Sequence, residues 1–138
     1  MKALPIAFAL LAFACSSDPE CDGTEVTITR GKSTLLRVCA EVRDTEAGRA
    51  RGLSGHAPLA KDEGMLLDFP VEGEVCIVNT DVSFDIDVVY ATDAGDVTAI
   101  ETFAAGDAAP RCHPATRRVL EVSRGVAATV QTGDQLVR

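Results

Sequence analysis

From residue 24 onward the chain alternates oily and polar positions in short runs, interrupted by clusters of turn residues. Residues 25–30 set Val26 and Ile28 on one side and Glu25, Thr27 and Thr29 on the other, the period-two pattern of a half-buried strand. Gly31-Lys32-Ser33 reads as a turn. Residues 34–43 then resume the alternation with Leu36, Val38, Ala40 and Val42 inward, which predicts a hairpin. Asp44 or Thr45 can cap one short helix running to Gly52, although Gly48 within it costs about 1 kcal/mol relative to Ala. Residues 53–63 read as a loop, and residues 64–69 as a compact buried strand stopped by Pro70 and the turn residues near Gly73.

The most strand-like sequence comes next, in two β-rich runs, 75–80 and 84–91, joined by the turn Asp81-Val82-Ser83. Phe84, Ile86, Val88 and Tyr90 alternate with Asp85, Asp87 and Val89, so one face is apolar and two carboxylates share the other. Residues 97–103 form a further strand. Residues 104–116 lack periodicity and read as a long loop that is either functional or pinned, with Cys112 as the pin. Residues 117–124 return to strand, 125–132 hold a helical turn, Gly133-Asp134 turns the chain, and Leu136-Val137 closes it. Many short strands with little helix imply one mainly β, β-rich α+β domain over residues 24–138, a small barrel-like or sandwich fold with one short helix.

The first 23 residues follow a different rule. Lys2 precedes an apolar run, residues 6–14, too short to span a bilayer, and Ser16-Ser17-Asp18-Pro19 would end any helix. Residues 1–14 therefore read as an export signal and 15–23 as a lipid-anchor cysteine with a polar tether. Cleavage after Ala14 would expose Cys15 for lipidation, as in bacterial lipoproteins, whereas Ala12-Phe13-Ala14 equally suits ordinary secretory processing. Lipid on Cys15 would hold the protein at a membrane of the cell envelope; without it the protein would be soluble, periplasmic or secreted.

Of the five cysteines, setting Cys15 aside leaves Cys21, Cys39, Cys76 and Cys112, an even set suited to two disulfides in an exported protein, with three pairings open. With no Cys-x-x-Cys and two histidines, no metal site is expected. The formal charge of −8, which becomes −9 when the signal takes Lys2 with it, argues against nucleic acid and anionic headgroups as partners.

Several signals fall in a recognisable order: Arg51-Gly52-Leu53, Gly64-Met65-Leu66, Asn79-Thr80, Phe84-Asp85-Ile86, Val119-Leu120-Glu121 with Gly125, and Gly133-Asp134. Together they resemble the family known as domain of unknown function 192, from about Val38 to Val137. The resemblance implies a small β-rich, barrel-like fold with one short helix, often on exported proteins, and no established reaction. The chain departs from that pattern with Ser54 where Met is usual and Cys76-Ile77-Val78 where Trp-Met-Lys is usual. Set against the family pattern, Cys76 and Cys112 suggest a disulfide in place of a packed ring, which pairs Cys76 with Cys112 and Cys21 with Cys39.

Four residues stand out as candidate ligand-binding groups: Arg51, Asn79, Asp85 and Glu121. Asn79 offers both donor and acceptor beside a turn. Glu121, flanked by Leu120 and Val122, needs a partner if buried, and Arg51 is a candidate for it. Asp85 and Asp87 could perform acid and base chemistry or hold a hard cation. Gly52-Leu53-Ser54-Gly55-His56 lacks the spacing of a nucleophile elbow, and His113 reads as a loop residue. The reading is a non-catalytic module binding a small ligand or an envelope protein, as a monomer and without a cofactor. Its rivals are a hydrolytic or carbohydrate-acting enzyme using Asp85 with Glu121 or Asp87, and a structural accessory lipoprotein.

Overall fold

Seven strands and one short helix follow from this alternation in the computed structural model, which describes residues 20–138. They are β1 (Thr24–Arg30), β2 (Ser33–Arg43), α1 (Glu46–Arg51), β3 (Glu63–Ile77), β4 (Ile86–Ala91), β5 (Val97–Phe103), β6 (Arg111–Ser123) and β7 (Gln135–Val137). The signal segment and the Cys15 lipidation site lie outside the described residues. The strands form one curled sheet in the order β5-β4-β6-β3-β2-β1-β7. Only the β2–β3 pair is parallel, and the crossover between them carries α1.

The sheet is a half-barrel rather than a closed one. Its two edges meet only around the bridge Asp96 to Gln135, where the Val97 and Leu136 N–H groups donate to the Asp134 and Gly95 carbonyls, each at 2.8 Å, and β7 is three residues long. Arg30 fastens that edge, donating to both carboxylate oxygens of the buried Asp134 at 2.7 and 2.9 Å. The Arg30 guanidinium, foremost, holds the Asp134 carboxyl below its ordinary pKa.

The β1–β2 hairpin and α1 form where the alternation and the cap place them. The Thr45 side chain accepts from the Gly48 N–H at 3.0 Å, and Gly52 closes the helix at φ 48°, a left-handed value that favours glycine. Gly48 has its own reason, since a Cβ there would come within 2.9 Å of the capping Thr45 hydroxyl.

Two expectations fail in the centre of the sheet. Residues 64–69 do not end at Pro70: β3 continues to Ile77, and Pro70 sits in an irregular stretch between the pairs Asp68–Arg118 and Gly73–Thr116. No ladder bond is required of it there, so its missing N–H costs nothing. Nor do the runs 75–80 and 84–91 form a pair. β6 lies between β3 and β4, because the presumed loop around Cys112 is strand from Arg111, with His113 opposite Val75 and Cys112 opposite Cys76. Where one helical turn was expected over 125–132, residues 123–130 make successive turns, the Val126, Ala128 and Val130 N–H groups donating to the carbonyls of Ser123, Gly125 and Ala127.

With β6 in the middle, β3, β6 and β4 are covered on both faces. Leu66, Val89, Leu120 and Val122 join one core with Val26, Ile28 and Val38. Met65, Leu67, Ile86, Val88, Tyr90 and Val119 face a second, closed by Leu53 and Val82 from the flanking loops and by Phe103 at the end of β5. Hence every residue of β4 is buried, and of the two carboxylates expected to share its polar face Asp87 lies on a core face while Asp85 stands just before the strand, partly exposed. The disulfides Cys21–Cys39 and Cys76–Cys112 tie the chain at the start of β1 and across β3–β6, in accord with folding in an oxidising compartment.

Candidate functional site

Glu121 faces the second core because β6 turns Leu120 and Val122 toward the first. In the ladder it lies between Met65 of β3 and Val88 of β4, so no strand-edge water reaches it, and it is 4% exposed. Its Oε2 has no hydrogen-bond partner among the described residues. Burial alone pushes the carboxyl up to about 7, the form expected of a desolvated acid with no cation at hand. The anticipated ion pair with Arg51 does not form: Arg51 ends α1 as an exposed side chain, with no carboxylate within ion-pair distance among the described residues. The end of α1 does reach the acid, but it presents Gly52 to it while the Arg51 side chain stays exposed.

Asn79 is fully buried in the segment that leaves β3. Its Nδ2 donates to the Phe84 carbonyl at 3.1 Å and the Ala104 carbonyl at 2.9 Å, and its backbone N–H donates to the Asp107 carbonyl at 2.7 Å. Two loops are thereby held together by one side chain. Its Oδ1, the remaining acceptor, has no partner. The loop after α1 is zipped to the same segment, Ser54 Oγ donating to the Thr80 carbonyl and the Gly55 N–H to the Asp81 carbonyl at 3.3 Å. Ser54 is thus a loop fastener, and His56 points to the Ala57 carbonyl instead of to it.

These pieces enclose a cavity of about 310 Å³ lined by Arg51, Gly52, Asn79 and Glu121, with Leu53, Leu67, Ile77 and Val82 as apolar walls. Gly52 forms the side next to the acid: a Cβ there would stand 3.8 Å from Glu121 Oε2. Three of the four residues singled out in the sequence, Arg51, Asn79 and Glu121, therefore border one cavity.

Asp85 does not. One of its oxygens accepts from the Ala105 N–H at 2.9 Å and the other from Arg124 at 3.0 Å, contacts that hold its carboxyl below the ordinary range, the Ala105 bond foremost. Asp87 is buried and fully occupied, accepting from Thr102 Oγ1 at 3.0 Å and from the Gly125 and Ala127 N–H groups at 2.8 and 3.2 Å. Both carboxylates anchor the turn that follows β6. Asp85 and Glu121 do not converge, since Asp85 does not line the Glu121 cavity, and Asp87 borders a separate hollow with Thr102 and Gly125 that Asp85 does not line either. His113 is a strand residue, its Nε2 2.9 Å from Glu101 and its ring edge-on to Tyr90.

Gly52 and the Ser54–Thr80 contact went unread as site features. The one local signal was Arg-Gly-Leu at the helix end, which marks a cap and says nothing of the acid beside it. Glu74, Cys76 and Cys112 lie together and exposed, but both sulfurs are spent on the disulfide.

The family model DUF192, described as an uncharacterized ACR, matches residues 26–137. Two crystal structures are similar in fold. A protein of unknown function from Novosphingobium aromaticivorans DSM 12444 superposes with a TM-score of 0.77 at 24% identity, covering 83% of this chain and 84% of that one. A proposed transcription regulator from Sinorhizobium meliloti 1021 gives 0.76 at 24% identity, covering 82% and 91%. At that identity the likeness shows the fold alone. No curated protein matches the chain.

Proposed function

We propose, from the premise that the chain belongs to the DUF192 family, that it is an exported, non-catalytic module whose cavity between α1 and the Asn79 loop binds a small ligand. The observation that carries this reading is that Asn79 and Glu121, each with a buried, unpartnered acceptor (Oδ1 and Oε2), both line one cavity of about 310 Å³. Leaving two such atoms unmatched costs folding free energy of about 1 to 3 kcal/mol each, a cost native structures seldom carry without a use. The volume is at the small end of ligand pockets, and the mix of apolar walls with a few convergent polar groups is the usual make-up of one. Lipid on Cys15 would place the domain at an envelope membrane, and the two disulfides fit that side of it.

A fragment screen read by amide NMR tests the reading. Binders should move the signals of Gly52, Thr80 and the Asn79 side chain, and should lose affinity in Asn79→Ala. Hits that shift only other surfaces, or that bind Asn79→Ala as well as the parent, would remove the cavity from consideration.

A further inference from the structure

We infer that the cavity selects a compact organic cation, an ammonium or amidinium group whose N–H donors meet Glu121 Oε2 and Asn79 Oδ1 together. The inference rests on the binding reading above and deepens it. Asn79 leaves no choice of polarity: both hydrogens of its amide are taken by the Phe84 and Ala104 carbonyls, so the one polar atom of its side chain left for a ligand, Oδ1, can only accept. Its orientation is fixed by those two bonds, because turning the amide over would set its oxygen against two carbonyl oxygens. The ligand must therefore donate at least once.

Glu121 supplies the charge. A carboxylate out of water with no counter-ion is held close to neutrality, and a cation brought beside it lets it ionise, since the attraction between the two is much stronger there than at the surface. The C-terminal end of α1, the negative end of its dipole, abuts the same acid through Gly52 and adds to the preference. The other charged groups facing the cavity are Arg49 and Arg51 of α1 and Asp81 of the loop after β3. Arg49 is committed to the carbonyls of Asp44 and Asp68 and to the face of Phe69, while Arg51 and Asp81 are exposed and screened by water. The strands contribute no further titrating group to the lining, Cys76 being bridged. Neutral Glu121 can donate as well as accept, so a neutral ligand is the competing occupant, and charge is what separates the two.

The probes are methylguanidinium and ethylammonium as cations, N-methylacetamide as a neutral donor, and acetate as an anion, each titrated into the folded, disulfide-intact chain at about pH 7.5 while amide NMR and calorimetry are recorded. The cations should shift the Gly52 amide and the Asn79 side-chain signals. Their binding should release protons, seen as a dependence of the measured heat on the buffer's ionisation enthalpy. Glu121→Gln keeps shape and removes charge; its own spectrum shows whether it is folded, and it should weaken cation binding by about thirtyfold or more. Saturable shifts from N-methylacetamide with none from the cations would overturn the inference and leave the binding reading standing. Cation affinity unchanged in folded Glu121→Gln would overturn it too. If none of the four probes moves the cavity signals, both readings fall together.

Discussion

Replacing Glu121 by Gln should stabilise the protein, by an amount that depends on pH in one direction only. The carboxyl titrates at 4.5 in the unfolded chain and at about 7 when buried. At 1.36 kcal/mol per pKa unit, the native state thus bears about 3 kcal/mol once the group is ionised on both sides of the equilibrium. Below about pH 4 it is protonated in both states, and the cost is absent. As pH rises the unfolded chain gives up its proton first, so stability is lost between about pH 4.5 and 7 and levels off above. The amide introduced by Glu121→Gln does not titrate and presents the same outline. Urea unfolding of both proteins over this range isolates the effect, because the contributions of groups common to both cancel in the difference. The variant's advantage should grow with pH to about 3 kcal/mol, a midpoint shift of about 1 to 3 M urea. Any constant cost of burying an amide displaces the whole curve, so the slope is the test. A difference flat with pH, or largest in acid, would refute the claim that Glu121 is desolvated and unpaired. A gain is also what a residue kept for binding, and not for folding, should show.

Asp87→Ala should cost about 2 kcal/mol or more, since it strands the buried Ala127 N–H and empties a buried acceptor site that also holds the Gly125 N–H and the Thr102 hydroxyl. Asp85→Ala should cost far less, its partners being exposed; its carboxyl is held low, so the parent's advantage over this variant shrinks as the solution is acidified through that lowered value. Thermal melts of the two variants side by side check the ranking, and equal losses would contradict it. Joint replacement of Cys76 and Cys112 by Ser opens a loop of 36 residues and should remove about 2 to 4 kcal/mol under non-reducing conditions, with no loss counting against that bridge.

The alternation of Val26 with Ile28, and of Leu36 through Val42, set the hairpin and its inward face by local physics alone. Thr45 and Gly52 set the ends of the one helix in the same way, because capping and left-handed backbone are properties of a few neighbouring residues. Tertiary pairing decided the rest. A period of two says which residues share a face but not whether that face meets water. Only the insertion of β6 between β3 and β4 buried Asp87, carried β3 past Pro70 and turned the segment around Cys112 from loop to strand. Glu121 illustrates the division best. Its neighbours Leu120 and Val122 already marked a strand, yet the absence of a salt bridge is set by how the end of α1 docks, with Gly52 beside the acid and the Arg51 side chain exposed. That docking belongs to packing, and it left a cavity with an acid on its wall where an ion pair with Arg51 was expected.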